Sequence, residues 1–282
     1  MACPASPMIF NKDPIRTAKT SFLGTLNMLD LAKSTNSKIL LASSSAIYGD
    51  PKNHPQRESY NGYVNCFGKR SCYEEGKRIA ETLFFDYQRV YGCDVRIARI
   101  FNTYGPRQSA RAVIPTIISQ IVSHNKDINL GSITPTRDFN YVCDTANGFL
   151  AALESEKSIG EVINIGSGFE ISIEDTLKLI AQLMDEEINI ISDEERLRPK
   201  NSEVERLCAC NKKAKDLLGW EYLGPYDDFE AQKELGGFPI VNENLKNISK
   251  ILEILYGISA VSYTHLRAHE TVLDLVCRLL LE

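Results

Sequence analysis

Tyr73 and Lys77 stand four residues apart in SCYEEGKRIAETLFFDYQRVY. On a helix that spacing sets the two side chains next to each other on one face. An ammonium beside a phenol favours the phenolate, which makes tyrosine a usable base near neutral pH. An apolar run upstream, KILLASSS, ends in hydroxyls, and Ser44 or Ser45 could share the proton that the phenolate takes. A Tyr-x-x-x-Lys pair alone is common on solvated helix faces. What points this one to catalysis is the serine-rich strand end that precedes it in an alternating helix and strand order.

Periodicity supplies that order. Residues 14–34 carry apolar side chains at helical spacing, with Pro14 where a first turn tolerates proline. KILLASSS reads as a strand buried on both faces. A helix over 72–91 and the strand DVRIARI at 94–100 follow. Such alternation implies parallel strands with right-handed crossovers, hence an α/β fold with a doubly wound, Rossmann-like parallel sheet. Ligands in these sheets sit beyond the C-terminal ends of the strands. Here those ends are SSSAIYGDP and FNTYGPR. Next come a helix (VIPTIISQIVS), a strand (INLGS), a loop (ITPTRDFNYV), a helix over 144–155 and the strand EVINIGS. A helix from Ser172 to about Met184, with Ser172 and Asp175 as a capping pair, and the strand INIIS complete a smaller C-terminal α/β substrate lobe.

The composition bounds the function class. Of 282 residues, 43% are hydrophobic and 24% charged, which excludes disorder, collagen and coiled coil. With 37 acidic against 32 basic residues and no basic cluster, the chain lacks the footprint of a nucleic-acid binder. No apolar run is long enough to span a membrane and MACPASPMIF is not a signal peptide, so a cytoplasmic protein without a membrane partner is expected. Eight scattered cysteines then read as free thiols. Cys208-Ala-Cys210 matches no zinc spacing, and no metal is expected.

The order SSSAIYGDP, YEEGK, RIARIFNTYGP resembles the extended short-chain dehydrogenase/reductase family, the NAD-dependent nucleotide-sugar epimerases, dehydratases and decarboxylases. Residues 1–107 resemble its UDP-glucuronate decarboxylase branch through ACPASP, GTLNMLDLAK, YGDPKNHPQRESY and RSCYEEGKRIAETL. Residues 101–220 resemble the legionaminic-acid-type UDP-N-acetylglucosamine 4,6-dehydratases through FNTYGPRQSARAVIPTIISQI, TPTRDFNYV, EVINIGSGFEISI and RLRPKNSEVERL. The two meet at FNTYGPR, which both branches possess, as they would in a recombined gene.

The resemblance implies a UDP-sugar substrate and NAD, which takes a hydride from a sugar hydroxyl and later returns it. It makes Tyr73 the acid/base, Lys77 its partner and Ser44 the companion hydroxyl. Asn102, Arg107, Arg137 and Arg198 fall on positions that resemble substrate-pocket polar residues, and forked guanidiniums suit a diphosphate. Arg70, one turn before Tyr73, would face a sugar carboxylate. Ala2 joins Tyr73, Lys77 and Arg107 as cofactor-binding residues. A homodimer through a helix pair that includes residues 73–91 is also implied.

Three departures accompany the resemblance. Ser45-Ala46 stands where the decarboxylases carry Ser-Glu and many dehydratases Asp-Glu. Thr20-Ser21-Phe22-Leu23-Gly24-Thr25 replaces Thr-Asn-Val-x-Gly-Thr, so the supporting asparagine is a serine. No Gly-x-x-Gly-x-x-Gly loop occurs, and ACPASP resembles a segment that follows the fourth strand of the family's sheet. The expectation is an N-terminally truncated fold, short of about 70 residues or two strand-helix-strand units. The cofactor pyrophosphate would then lack a helix N-terminus, NAD would bind poorly, and a sheet edge would lie open. A catalytically silent nucleotide-sugar binder and a non-functional fragment are the competing readings.

The chain accordingly divides into a partial NAD-binding domain over 1–111, substrate-lobe elements over 112–223, and an unassigned 224–260. Residues 261–282 (VSYTHLRAHETVLDLVCRLLLE) resemble a translated sequencing adapter, which removes His265, His269 and Cys277 as metal ligands.

Overall fold

The computed structural model describes residues 5, 7–193 and 204–224. Ala2, Arg198, His265, His269 and Cys277 lie outside them. The chain runs through α1 (Pro7–Lys12), α2 (Pro14–Thr35), β1 (Ile39–Ser44), a 3₁₀ turn (Ser45–Tyr48), α3 (Ser71–Tyr91), β2 (Val95–Ile100) and β3 (Asn102–Tyr104). It continues with α4 (Val113–Val122), β4 (Asp127–Leu130), β5 (Thr136–Arg137), β6 (Phe139–Tyr141), α5 (Val142–Glu154) and β7 (Val162–Ile165). Last come β8 (Ile171–Ser172), α6 (Ile173–Leu183), β9 (Asn189–Ser192) and α7 (Lys212–Leu218).

Local chemistry sets the boundaries. Asp13 caps α2 by accepting the Arg16 N–H at 2.9 Å, Pro14 occupies the first turn, and Asn36 ends the helix at φ 50°. The expected cap of α6 is present: Ser172 Oγ accepts the Asp175 N–H at 2.9 Å. The stretch ITPTRDFNYV, expected as a loop, instead contains β5 and β6, which pair with β8 and β3. Strands of two or three residues are too short to impose an alternating pattern on the sequence. Helices α1 and α7, six and seven residues long, escaped the periodicity for the same reason.

The main sheet has the order β1-β2-β7, all parallel. Its third strand comes from the stretch expected to build the substrate lobe, so both stretches contribute to it. One face presents Leu41, Val95, Ile97 and Val162 to Leu29 of α2 and to Ala80 and Phe84 of α3. The other presents Ala98, Ile163 and Ile165 to Ala214 of α7 and to Trp220. Helices on both faces make the sheet doubly wound, as the sequence implied. A second core joins Ile114, Ile117, Ile118 and Ile121 of α4 to Ile128, Leu130, Leu177 and Ile180, and forms the smaller lobe.

Candidate active site

The C-terminal end of β1 and the first three turns of α3 build the site. Tyr73, Lys77 and Glu81 are all buried on the face that α3 turns to the sheet. Lys77 Nζ donates to the Ala42 carbonyl of β1 at 2.6 Å and lies 5.9 Å from the centre of the Tyr73 ring. That is the ammonium's one hydrogen bond among the described residues, so two of its three donors stay uncommitted although the residue is only 7% exposed. A vicinal diol such as the ribose of a nicotinamide nucleotide satisfies such a pair of donors, so this half of the site fits the cofactor implied by the resemblance.

The Tyr73 ring stacks on Phe10 of α1, centroids 5.3 Å apart and planes 10° from parallel. Ala46 packs into the same buried cluster. Where the resemblance expects a carboxylate, the structure therefore has an apolar wall. Ser44 caps the 3₁₀ turn, its Oγ accepting the Ala46 N–H at 3.1 Å, and Ser45 is buried beside it. Gly49 closes the turn at φ 64°, where a Cβ would meet the Tyr63 carbonyl oxygen at 2.1 Å.

Beneath this end of the sheet runs a polar row. Ser43, Arg99 and Asn164 are register partners across β1, β2 and β7. Glu81 receives Ser43 Oγ at 2.5 Å and is gripped by the Arg99 fork, Nε at 3.0 Å and Nη2 at 2.8 Å. Arg99 Nη1 donates to the Tyr48 hydroxyl at 3.0 Å, and that hydroxyl donates to Asn164 Oδ1 at 2.8 Å. Burial pushes the Tyr48 phenol up to about 12 despite Arg99, so it stays a neutral hydroxyl. Burial also works against the charge on Arg99, but Glu81 more than offsets it and the guanidinium ends above its ordinary value.

The expected substrate residues are spread more widely. Asn102 opens β3, and its N–H donates to the Asp138 carbonyl at 3.1 Å, which sets it beside Arg137 and Asp138. Arg137 is buried and donates to its neighbour's carbonyl, Thr136 O, at 2.7 Å. Arg107 is exposed and holds φ 63°, a left-handed conformation uncommon for a residue with a long side chain. Arg70 is paired with Glu74 at 3.0 Å. Sequence reasoning missed Asp138, whose carboxylate accepts Ser167 N, Ser167 Oγ, Gly168 N and Ala209 N at 2.7–3.0 Å and so gathers three loops. Its burial raises its pKa against those four donors. No group of three or more His, Cys, Asp or Glu side chains suited to a metal occurs among the described residues.

Comparison with known proteins shows the family. A family model described as GDP-mannose 4,6 dehydratase matches residues 3–225. UDP-glucuronic acid decarboxylase 6 of Arabidopsis thaliana is 43% identical over 228 residues, which cover 78% of this chain and 63% of the relative. UDP-glucuronic acid decarboxylase 1 of Xenopus tropicalis is 42% identical over 232 residues, covering 81% and 53%. The chain thus spans about half to two thirds of the length of these relatives. Alignments this long must run through FNTYGPR wherever they begin, so a single relative matches on both sides of the point where the two resemblances meet. Among solved structures, RMD from Pseudomonas aeruginosa complexed with NADPH superposes with a TM-score of 0.69 at 27% identity, covering 79% of this chain and 74% of that one. UDP-glucuronic acid 4-epimerase from Bacillus cereus, in complex with UDP-glucuronic acid and NAD, gives 0.68 at 28% identity, with 78% and 67% covered. With its strand-end serines, its Tyr73–Lys77 pair and a family match over most of its length, the chain belongs to the GDP-mannose 4,6 dehydratase family of extended short-chain dehydrogenase/reductases.

Proposed function

We propose that this chain carries the proton-transfer and sugar-binding machinery of a nucleotide-sugar-modifying enzyme, UDP-glucuronate decarboxylase-like in its reaction. The observation that carries the reading is Lys77, buried beside Tyr73 at the ligand end of the sheet with two donors uncommitted. NAD, when bound, supplies the electron acceptor for oxidation of the sugar. Tyr73 takes the proton of the sugar hydroxyl, Ser44 or Ser45 shares it, and Lys77 balances the phenolate. Asn102, Arg107, Arg137 and Arg198 hold the UDP-sugar. Arg70 reaches a sugar carboxylate by exchanging Glu74 for it.

Ser45, which stands where the decarboxylases carry serine and many dehydratases aspartate, favours decarboxylation over dehydration, whereas Ala46 departs from both. A carboxylate two carbons from a ketone leaves as CO2, its electron pair moving toward the carbonyl, without an acid from the protein. Elimination of water needs a group to protonate the departing hydroxyl, and neither Ser45 nor Ala46 offers a carboxyl for it. The dehydratase-like reading keeps the support of the family model's own description.

Purified chain given excess NAD and either UDP-glucuronate or UDP-N-acetylglucosamine tests the reading. CO2 and a UDP-pentose from the first substrate, lost in Tyr73→Phe, are expected. Turnover of UDP-N-acetylglucosamine alone would transfer the assignment to the dehydratases. UDP binding by calorimetry with neither NAD binding nor turnover would leave a silent binder. We also propose a homodimer through α2 and α3, which expose Phe22, Met28, Leu31, Ile79 and Val90; a monomer mass by light scattering would exclude it. Free thiols at Cys66, Cys72, Cys93, Cys143, Cys208 and Cys210 suit a cytoplasmic setting. Among the described residues no helix is long and apolar enough to cross a membrane.

A further inference from the structure

We infer that Glu81 and Arg99 are positioning residues for Tyr73 and Lys77, joined as a buried ion pair that locks α3 to the strand ends and cancels its own charge beneath the base. The inference rests on the proposed role of Tyr73 but reaches residues that role does not use. Tyr73, Lys77 and Glu81 follow one another at four-residue steps along α3. Lys77 bonds the carbonyl of Ala42 and Glu81 the hydroxyl of the next residue, Ser43, so two consecutive residues of β1 fix the register of the helix. Arg99 carries the same constraint to the 3₁₀ turn that bears Ser45, through the Tyr48 hydroxyl, and to the following loop, through the Glu58 carbonyl at 3.0 Å. One ion pair thereby sets both halves of the proton-transfer site.

Burial makes the pairing electrostatic as well as mechanical. Glu81 and Arg99 are 6% and 8% exposed, where an uncompensated charge is poorly screened and acts over a helical turn or two. Among the described residues, the charged and titratable groups around Tyr73 include Cys72, Lys77 and the Arg70–Glu74 pair on α3, the Glu81–Arg99 pair behind them, and Tyr48 and Glu58 beyond it. Among the described residues near Tyr73, α2 brings Ser21 to Gly76, α1 turns Phe10 to the ring, and β1 with its turn brings Ser43, Ser44 and Ser45, none of them charged; the carboxylate that α2 sends to α3, Asp30, meets Tyr87 at the far end of the helix. Removing one member of the pair therefore leaves a single new charge under the base.

The test reads Tyr73 ionisation without substrate or cofactor, as the tyrosinate absorbance difference between each background and the same background carrying Tyr73→Phe. Glu81→Gln leaves Arg99 positive and should move the titration of Tyr73 to lower pH by several tenths of a unit. Arg99→Gln leaves Glu81 negative and should move it to higher pH. The double variant should return it to the parent position while remaining less stable than the parent. Should Glu81→Gln fail to fold, Arg99→Gln and the double variant carry the comparison. A purely structural role predicts lower stability with the titration unmoved in all of them, and that result overturns the inference. Shifts of opposite sign in a protein that turns over no nucleotide sugar would sustain the ion pair's role and sink the proposed function separately.

Discussion

Replacing Gly76 with alanine sets two physical effects against each other, and the structure decides which wins. Gly76 lies on α3 between Tyr73 and Lys77, and alanine is intrinsically better there by about 1 kcal/mol. A Cβ at position 76, however, would stand 2.9 Å from Ser21 Oγ and 3.0 Å from Ser21 Cβ on α2. Carbon contacts normally settle at about 3.5–4.0 Å. The hydroxyl can rotate away, but Ser21 Cβ is fixed to the α2 backbone, so the two helices must part. Overpacking of this kind costs about 1–3 kcal/mol. The balance is a net loss of up to about 2 kcal/mol, with α3 displaced from β1 and the Lys77–Ala42 bond stretched. Urea unfolding of Gly76→Ala, Ser21→Gly and the double variant measures it. The double variant again has one Cβ at the contact, so the pair should show a favourable coupling of about 1–2 kcal/mol. A Gly76→Ala protein stabilised by the whole helix-propensity gain, with coupling below about 0.5 kcal/mol, would refute the close approach.

The remaining predictions concern the same elements and the lobe. Lys77→Met should lower turnover by at least about 10²-fold while UDP affinity holds, as rate assays beside calorimetry will show; unchanged turnover would remove Lys77 from the chemistry. Ser21 Oγ is buried and has no hydrogen-bond partner, so Ser21→Ala should stabilise the fold by about 1 kcal/mol, and a lower melting temperature would contradict that reading. The Glu170 carboxyl is held below its ordinary value of 4.5 by Arg206, with help from Thr136. The folded value is the lower one, so this stabilisation is present above about pH 4.5 and is lost as pH falls through the folded value. Urea midpoints of the parent and Glu170→Gln should therefore differ near neutrality and converge in acid, and a gap that stays constant down to the lowest pH at which both proteins remain folded would show that the carboxylate's charge is not its source.

The sequence made the large elements legible because α2, α3, β1 and β2 are long enough for a buried face to impose a period. The Tyr73–Lys77 pair was legible from its spacing only together with the serine-rich strand end that precedes it. Phe10 was not, since its helix has six residues and shows no pattern. The polar row left one mark in the sequence: Arg99, like Arg96 on the opposite face, interrupts an apolar strand, and arginines buried there must find partners. Arg96 finds Asp94 and the Ser158 hydroxyl, whereas Arg99 finds Glu81. Which carboxylate meets which arginine depends on the register of β1 against β2 and on how α3 lies across them. No local pattern encodes either. Arg137 is buried on β5 with one guanidinium nitrogen on the Thr136 carbonyl, a placement that again depends on strand pairing rather than on local pattern.

The exchange of a carboxylate for Ala46 also changes what Lys77 can do. An anionic side chain at position 46 would sit among Phe10, Cys72 and Tyr73, close to the phenol and competing for the same ammonium. With alanine there, the wall is apolar, and the attraction between Lys77 and a phenolate on Tyr73 is less diluted than it would be in a wetter cleft. The same wall withdraws the acid on which an elimination depends. Base strength and acid supply are thus traded at one residue, and the trade keeps oxidation of a sugar hydroxyl within reach of Tyr73 while leaving the later proton donations to Ser44, Ser45 or solvent. Glu81 fits this scheme as the carboxylate the site retains: it lies two turns from the phenol and is neutralised by Arg99, so it can hold the helix without opposing the phenolate.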